Sequence, residues 1–361
     1  MKICLIGDGL TNLALAKSLT EKNINVILYY SNKSNLKSHR TLGISSYNYN
    51  FIQKKILKID KLIWPINKIK IYNEKNHRKE LLDFGQDNKQ LFYIIQNYKL
   101  YRKLETSLKY KKNFKKIKIN NKLFYKKILK ENQFDLIINS EKNNIIEENF
   151  FYNKISKDYK SVAKTGIINH QKCINHEAIQ IFTNCGPLAF LPISNKETSI
   201  VYSIYDYKNI SEKKIKSLIL KYNKKYKIKS FSKFEEFKLK LTLNRNYFYK
   251  NILNFGDNLH SIHPLAGQGF NMTLRDIKIL LEIVDNKIKL GLPLDHSLLQ
   301  DFEKKTKHLN YIFSNGIDFI HEFFKYDTEK NLSTKILNNF LNNNFFKNYA
   351  TKFADKGFYF Y

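Results

Sequence analysis

The stretch that decides the fold is "GDNLHSIHPLAGQGFNM", residues 256–272. It holds three of the twelve glycines and one of the five prolines of a 361-residue chain. An apolar segment, "NILNF" (251–255), precedes it, and apolar residues at helical spacing follow it. Glycine allows a backbone to approach a ligand closely and to adopt left-handed torsions. A strand, a glycine-rich loop and a helix in this order predict a turn that cradles a ligand at the positive end of the helix.

The first thirty residues contain a second turn of this kind. Residues 3–6 are predicted to form a buried strand, residues 13–19 carry an apolar helical face, and residues 26–29 are predicted to form the next strand. Gly7 and Gly9 fall between strand and helix, where a βαβ unit binds a pyrophosphate. Taken alone, this segment is also compatible with an ordinary turn between a strand and a helix.

The composition is that of a globular protein. Hydrophobic residues make up 43% of the chain and aromatic residues 14%, which suffices for one large core or two smaller ones. No apolar run approaches the roughly 18 residues that cross a bilayer, and residues 3–6 are too short a run for a signal peptide. Three scattered cysteines lack metal-ligand spacing. We therefore expect no metal site and a reduced, cytoplasmic location.

The net charge of +31 is the strongest bias in the sequence. Basic surfaces bind nucleic acids or attract a protein to anionic lipid. The lysines are nevertheless spread over the chain among asparagines and aromatics, without a zinc-finger or RNA-binding signature. We expect no nucleic acid partner, and a basic nucleic-acid-binding protein remains the less favoured alternative.

The stretch "FGDNLHSIHPLAGQGFNMTLRDI" (255–277) closely resembles the second flavin-binding motif of the FAD-dependent aromatic monooxygenases, in particular of the ubiquinone-biosynthesis hydroxylases. Segments 40–46, 91–104 and 182–193 are similar to other parts of this family in the same order. The resemblance therefore covers nearly the whole chain. The positions that match the motif are Gly256, Asp257, His260, His263, Pro264, Gly267, Gln268, Gly269, Asn271 and Asp276.

The resemblance implies a mixed α/β fold. It predicts a Rossmann-like FAD-binding domain, an intercalated antiparallel sheet that carries the substrate, and C-terminal helices. The predicted boundaries are 1–70, 96–155 and 250–296 for the discontinuous FAD-binding domain, 71–95 and 156–249 for the substrate domain, and 297–361 for the C-terminal helical segment.

The activity implied by the resemblance is flavin-dependent hydroxylation of an aromatic ring, with a polyprenylated phenol of ubiquinone biosynthesis as substrate. The enzyme would use FAD, O₂ and NAD(P)H or another electron donor. A non-catalytic flavoprotein scaffold of a quinone-biosynthesis assembly is the alternative. We also expect contact with other ubiquinone-biosynthesis proteins and peripheral contact with the inner face of a membrane, because residues 317–360 interleave phenylalanine and leucine with lysine. Packing of this tail onto the FAD-binding domain is the competing interpretation.

The resemblance also assigns site residues. Pro264, Gly267 and Gln268 are expected to line the flavin ring, which itself carries the chemistry, so no side chain is assigned as catalytic. His260 and His263 are expected to have structural roles in the loop. Leu188 and Phe190 lie on a strand that should border the substrate. The full set of expected cofactor-binding positions is Gly7, Gly9, Arg40, Gly256, Asp257, Pro264, Gly267, Gln268, Gly269 and Asn271.

Three cofactor-binding features and one glycine of the first turn depart from the family pattern. Tyr30 stands where the second strand should end in an acidic residue that binds a ribose. Tyr98 replaces an arginine that contacts the flavin, and Glu141-Lys142 replaces an Asp-Gly pair. Asn12 also stands where the first turn usually has glycine. The departures affect the adenosine end of the cofactor and the docking of the reductant, whereas the motif that contacts the ring is intact.

Overall fold

A computed structural model gives the architecture of the chain. It describes residues 1–31, 39–74, 82–85, 90–119, 123–130, 133–207, 210–264, 267–330, 352 and 355–357. The α-helices are α1 (Leu10–Thr20), α2 (Ser46–Lys55), α3 (Asn97–Leu108), α4 (Leu123–Lys130), α5 (Ile145–Phe150), α6 (Glu212–Tyr222), α7 (Gln268–Lys289) and α8 (His296–Lys330). The strands are β1 (Lys2–Ile6), β2 (Asn25–Tyr30), β3 (Thr41–Ser45), β4 (Ile63–Ile66), β5 (Lys68–Asn73), β6 (Leu82–Gly85), β7 (Phe92–Gln96), β8 (Phe114–Lys118), β9 (Leu136–Asn139), β10 (Lys154–His170), β11 (Glu177–Thr183), β12 (Gly186–Pro192), β13 (Glu197–Ile204), β14 (Ile228–Phe231), β15 (Glu235–Asn244), β16 (Phe248–Tyr249), β17 (Ile252–Asn254) and β18 (His260–Ser261).

The first sheet has six strands in the order β16-β17-β9-β1-β2-β8. All neighbours are parallel except β16 and β17. Ile3 and Leu5 of β1 pack on one face with residues of α1, α3 and α7, and Cys4 and Ile6 pack on the other with residues of α4 and α5. Because helices cover both faces, every residue from 3 to 6 is buried, which is why the strand is a continuous apolar run. The predicted Rossmann-like βαβ opening is confirmed.

The second sheet carries the antiparallel part of the fold. Its order is β18-β15-β10-β13-β12-β11-β5-β6, with β14 beside β10, and all pairs are antiparallel except β11 with β5. Ile215 and Ile219 of α6 cover one face, where they join the core formed by Leu188, Phe190 and Tyr202. On the opposite face, Ala189 and Val201 line a cavity together with residues at the N-terminus of α1.

A third, small sheet has the strand order β3-β7-β4. The Thr41 hydroxyl donates to Ser199 of β13 at 2.9 Å, and β3 packs on α7. Gly43 is needed in β3, because a Cβ at this position would lie 1.8 Å from the ring of Phe92 in β7. The small sheet therefore links the second sheet to α7, which begins within the 256–272 stretch.

The domain boundaries proposed from the sequence remain a prediction. β5 and β6 (within 68–85) pair with the second sheet, whereas β7 (Phe92–Gln96) belongs to the small sheet. The helical tail is present as α8, which begins at His296. Residues 331–351 and 358–361, which carry much of the predicted apolar tail, lie outside the described part of the chain. Among the described residues, no helix is both long enough and apolar enough to cross a membrane.

Candidate active site

A cavity of about 1000 Å³ lies between the ends of the strands in the first sheet and the open face of the second. The N-terminus of α1, strand β3, the loop after β18 and helix α8 all contribute to its walls. It brings together both glycine turns, which are about 250 residues apart in the sequence. The predicted cofactor-binding residues that line the cavity are Gly9, Arg40, Asp257, Pro264, Gly267, Gln268 and Gly269.

The first glycine turn opens the N-terminus of α1 toward this cavity. Gly9 is the N-cap residue of α1, and no side chain caps the helix there. A Cβ on Gly9 would meet nothing within 4 Å. Free helix N–H groups beside open space suit a phosphate group. Gly7 lies behind the turn with φ +113°, where a Cβ would be 3.1 Å from the backbone nitrogen of Glu141. Gly9 therefore borders the ligand space, and Gly7 lets a neighbouring loop pass close by.

Asn12 occupies the place of the missing glycine and stabilises the turn. Its buried amide donates to the carbonyl oxygens of Ile6 at 2.8 Å and Gly7 at 2.9 Å. The carbonyl of Ile6 also accepts from the backbone N–H of Ser140 at 2.9 Å, so Asn12 adds a second bond there and supplies a donor to the carbonyl of Gly7. The larger residue is therefore accommodated because its side chain bonds to the turn.

Asp8, inside the same turn, is a buried carboxylate that needs a partner. The hydroxyl of Tyr101 donates to it at 2.7 Å, and Lys116 Nζ lies 2.8 Å from it. Burial and the bond to Asp8 raise the pKa of Tyr101, so its hydroxyl stays protonated. Burial alone would lower the pKa of Lys116, but hydrogen bonds to Asp8, Glu105 and Tyr101 raise it. The lysine thus offsets a negative charge next to the predicted phosphate site.

The second glycine turn is in direct contact with the first. Gly256 has φ +65°, and a Cβ there would lie 3.0 Å from the side chain of Thr11. Gly267 is the N-cap of α7, also at φ +65°, and α7 starts there without a side-chain cap. Gly269 borders open space, since a Cβ would meet nothing within 4 Å. Asp257 is exposed at the cavity wall, where its carboxylate is accessible to hydroxyl groups.

Asn271 is placed behind the loop, with its amide fully used by the protein. It donates to the carbonyl oxygens of Gly43 at 2.9 Å and Gly267 at 3.1 Å. Its oxygen accepts from the backbone of Ser45 at 3.0 Å and from the amide of Asn48 at 2.9 Å. An asparagine amide has two donor hydrogens and two acceptor lone pairs, so none remains for a ligand. Asn271 therefore fixes the glycine loop against β3.

His260 and His263 differ in their surroundings. His260 Nε2 lies 2.5 Å from Asp276 Oδ2, and Asn310 donates to the other oxygen of that carboxylate at 3.0 Å, which ties the loop to α7 and α8. The ring of His263 lies on that of His321, with 4.1 Å between centroids. Burial, and secondarily His321, lowers the pKa of His263 well below its ordinary value, so the ring is neutral. The two ring nitrogens of His263 have no hydrogen-bond partner among the described residues.

Arg40 belongs to the cavity wall, and Tyr98 follows Asn97, another residue of that wall. The guanidinium carbon of Arg40 is 5.0 Å from the ring centroid of Phe237, and the residue is exposed at the cavity wall. Tyr98, which replaces the expected arginine, is half-buried near the start of α3. Arg102, one turn later, places its guanidinium carbon 5.9 Å from the ring of Tyr98. Whether Arg40 contacts a phosphate remains a prediction.

β12, the strand predicted to border the substrate, presents different residues to the cavity from those expected. Leu188 and Phe190 are buried in the core beneath α6, on the face of β12 that points away from the cavity. Their neighbours Pro187, Ala189 and Leu191 line the cavity instead, because successive side chains of a strand point to opposite faces. Both faces of β12 are apolar, so the alternation could not be oriented from the sequence. Further apolar residues of this wall are Ile69, Ile71, Val201, Phe237, Ile317 and Ile320.

Residues near the C-terminus also reach the site, which agrees with the competing interpretation that the tail packs onto the FAD-binding domain. Ser45 donates to the carbonyl oxygen of Asp355 at 2.8 Å, and the backbone N–H of Tyr47 donates to its carboxylate at 2.9 Å. Lys352 and Lys356 line the cavity on this side. The described end of the tail therefore packs onto the FAD-binding part of the fold.

Comparison with solved structures shows which proteins share this fold. The chain is similar to PqsL, a probable FAD-dependent monooxygenase from Pseudomonas aeruginosa, with a TM-score of 0.71, 12% identity, and coverage of 94% of this chain and 99% of that one. It is also similar to 2-methyl-3-hydroxypyridine-5-carboxylic acid oxygenase, with a TM-score of 0.69, 10% identity, and coverage of 92% and 93%. The fold is that of the FAD-dependent monooxygenases, as predicted.

Comparison with curated protein sequences finds similar proteins among the ubiquinone-biosynthesis enzymes. No protein-family model matches the chain. The chain is 30% identical over 114 residues to ubiquinone biosynthesis monooxygenase COQ6 of Dictyostelium discoideum, covering 30% of this chain and 23% of that protein. It is 27% identical over 153 residues to 3-demethoxyubiquinol 3-hydroxylase of Escherichia coli, covering 40% and 39%. The predicted resemblance to the ubiquinone-biosynthesis hydroxylases is confirmed, and the match spans less than half the length of these curated relatives.

Proposed function

We propose that this protein is an FAD-dependent monooxygenase that hydroxylates the aromatic ring of a polyprenylated phenol in ubiquinone biosynthesis. One observation carries the proposal. A single cavity is bounded on one side by the two glycine turns and on the other by the apolar face of an antiparallel sheet. Such a cavity has room for a flavin and for an apolar aromatic substrate beside it.

The residues present fit FAD. The uncapped N-terminus of α1 at Gly9 would bind the pyrophosphate. Asp257 would accept hydrogen bonds from the polyol chain, and the N–H groups after Gly267 would contact the ring. Gln268 and His263 both belong to the cavity wall, and within the described part of the chain the buried oxygen of Gln268 and the ring nitrogens of His263 have no hydrogen-bond partner, which suits a polar ligand. When bound, FAD would pass electrons from NAD(P)H or another donor to O₂.

The chain itself would bind, orient and protect the reactants. The N–H groups and the dipole at the start of α7 stabilise negative charge that develops nearby. The apolar side chains of Ala189, Leu191 and Val201 would place the substrate against the 264–269 loop and exclude water. Burial of a prenyl chain on such a wall contributes about 25 cal/mol for each Å² removed from water.

The two rival functions have less support. The curated relatives are named as monooxygenases and hydroxylases, which disfavours a non-catalytic scaffold. The positions of the ring-facing motif are also complete in this chain. A nucleic-acid-binding function rests on net charge alone and leaves the cavity without a role.

The decisive experiment follows oxygen into the product. Purified protein is reconstituted with FAD and supplied with NAD(P)H, a polyprenylated phenol in detergent and isotopically labelled O₂. We expect a yellow protein and a product that gains one labelled oxygen on the ring. Protein that binds FAD but yields no labelled product with either nicotinamide or with an artificial reductant would favour the scaffold function.

We also propose peripheral contact with a membrane, through which an insoluble substrate would be reached. α8 exposes Phe319 at 69% and Ile312 at 47%, and Ile320 of the same helix is both exposed and part of the cavity wall. Exposed apolar residues in a basic protein suit an anionic membrane surface.

We expect the full chain to float with anionic liposomes, and Phe319→Ser to reduce the floating fraction. The exposed Tyr110→Ser change, on the loop after α3, is the matched control. A wild-type protein that stays in the aqueous fraction at low salt would contradict the proposal.

A further inference from the structure

A dinucleotide-binding βαβ unit ends its second strand in an acidic residue that accepts hydrogen bonds from the adenosine ribose. In this chain β2 ends at Tyr30, which has no carboxylate and lies buried beneath Lys116, with Nζ 5.1 Å from the ring centroid. The strand itself therefore lacks the expected acceptor.

A carboxylate from another part of the chain lies at this strand end. Glu141 follows β9, yet its Oε1 accepts hydrogen bonds from the backbone nitrogen of Ser31 at 3.3 Å and from the Ser31 hydroxyl. Ser31 is the residue immediately after β2. The two residues are 110 positions apart in the sequence.

The order of the strands explains how Glu141 reaches this place. β9 and β2 are the two neighbours of β1, so the loop after β9 must cross the end of β1 to reach β2. It crosses directly over Gly7, where a Cβ would lie 3.1 Å from the nitrogen of Glu141 and 3.2 Å from its Cβ. With φ +113°, Gly7 also has a backbone conformation that other residues rarely adopt. Glycine at position 7 therefore permits the crossing.

Further contacts hold the carboxylate in position. The amide of Asn258, from the second glycine turn, donates to the carbonyl oxygen of Glu141 at 2.8 Å. The hydroxyl of Tyr125 donates to Glu141 Oε2 at 2.7 Å. Burial and this hydrogen bond raise the pKa of Tyr125, so the hydroxyl remains a donor. A carboxylate offers about four acceptor sites, and from the described residues Oε2 receives the bond of Tyr125, which leaves one acceptor site of that oxygen for a further donor.

We infer that Glu141 replaces the missing acid of β2 and accepts hydrogen bonds from the adenosine ribose of FAD. The inference rests on the proposed function, because it assumes that FAD is the cofactor. Glu141 would be a binding residue specific for the adenosine half. It stands on the β2 side of the turn whose helix N-terminus, at Gly9, suits the pyrophosphate.

The test compares two flavins. FMN has the ring and one phosphate of FAD but lacks the adenosine. We expect Glu141→Gln, which keeps the shape of the side chain and removes its charge, to raise the Kd of FAD about tenfold and to leave the Kd of FMN unchanged. Glu148→Gln, an exposed residue of α5, removes the same charge and should change neither Kd. Flavin fluorescence gives all of these constants without any measurement of turnover.

A modified cofactor tests the contact itself. FAD with a deoxyribose in its adenosine half should bind the wild-type protein more weakly than FAD, by a factor similar to the effect of Glu141→Gln. The variant should bind FAD and the deoxy analogue equally well. Equal weakening of FAD and FMN by Glu141→Gln, or no weakening of either, would overturn the inference while FAD remains the cofactor. A wild-type protein that binds neither flavin would overturn the proposed function instead.

Discussion

The two glycine turns meet at Gly256 and Thr11, yet they differ in how much sequence change they have accepted. The turn at 256–272 keeps every position of the flavin-binding motif. The turn at 7–12 lacks one glycine, and its βαβ unit lacks the acid at the end of β2. The backbone of the first turn is supported by side chains, such as Asn12 within the turn and Lys116 of β8, and another part of the fold can supply a side chain of this kind. In the second turn Gly256 and Gly267 have φ +65° and Gly269 borders open space, and all three positions favour glycine.

Gly269→Val should have the largest effect, because it fills the space that the second turn leaves for the ring. Overpacking of this kind costs about 3 kcal/mol, so FAD affinity should fall roughly a hundredfold. The Cβ meets nothing within 4 Å in the protein itself, so the apoprotein should keep its thermal stability. Fluorescence titration with FAD and a melting curve without it measure the two quantities.

Gly291→Val, just after α7, is a useful control for Gly269→Val. Its Cβ also meets nothing within 4 Å, but its φ of +65° makes the change destabilising without affecting the cavity. If Gly269→Val bound FAD with wild-type affinity, the 267–269 segment would be a structural loop and the contrast between the turns would fail.

Lys116→Met tests whether the first turn depends on side chains supplied from elsewhere. It leaves the buried carboxylate of Asp8 without its charge partner, which should lower the free energy of unfolding by about 3 kcal/mol. Adding Asp8→Asn should recover most of the loss, since no charge then remains buried. Urea unfolding of the two single variants and the double variant gives the coupling energy. Additive effects would show that the two side chains act independently.

Asp257→Ala should weaken FAD binding by about tenfold, because it removes a charged acceptor for the polyol hydroxyls. The residue is exposed, so stability without the cofactor should change little. Asp301→Ala, an exposed residue of α8, is the matched control. Equal FAD affinity in the two variants would show that Asp257 does not bind the cofactor.

The smallest expected effect concerns the neutral His263 beside the second turn. Burial lowers its pKa in the folded protein, whereas the unfolded chain takes up a proton near pH 6.5. The unfolded state therefore binds more protons just below that pH. The contribution of His263 to the free energy of unfolding should be fully present above about pH 6.5. Below that pH the free energy of unfolding should fall by up to about 1.4 kcal/mol for each pH unit.

Urea unfolding of FAD-saturated protein at about pH 7.5 and about pH 5.5 measures this pH dependence. His263→Gln should show a smaller loss between the two conditions than the wild type. His308→Gln, an exposed histidine of α8, should show the wild-type loss. Parallel curves for all three proteins would mean that His263 does not contribute to the acid sensitivity.

The sequence by itself determined the elements whose signal is local. The βαβ opening, the strand before Gly256 and the helix after it follow from apolar periodicity and from glycine placement. Their neighbours along the chain are also their neighbours in the fold, so short-range patterns were sufficient. The resemblance at 255–277 was readable for the same reason, because the turn that contacts the ring is one continuous segment.

Only the tertiary structure decided which side chains complete the site. Glu141 reaches Ser31 across 110 residues, and Asp355 contacts Ser45 across 310. Both contacts depend on the order of strands or on the return of the chain end, for which a linear sequence carries no local mark. Ala189 lines the cavity and Leu188 does not, because α6 packs on the face of β12 that carries Leu188. Packing between distant segments decides which of these side chains reach the site, because that packing fixes the position of the strand or loop that carries each of them.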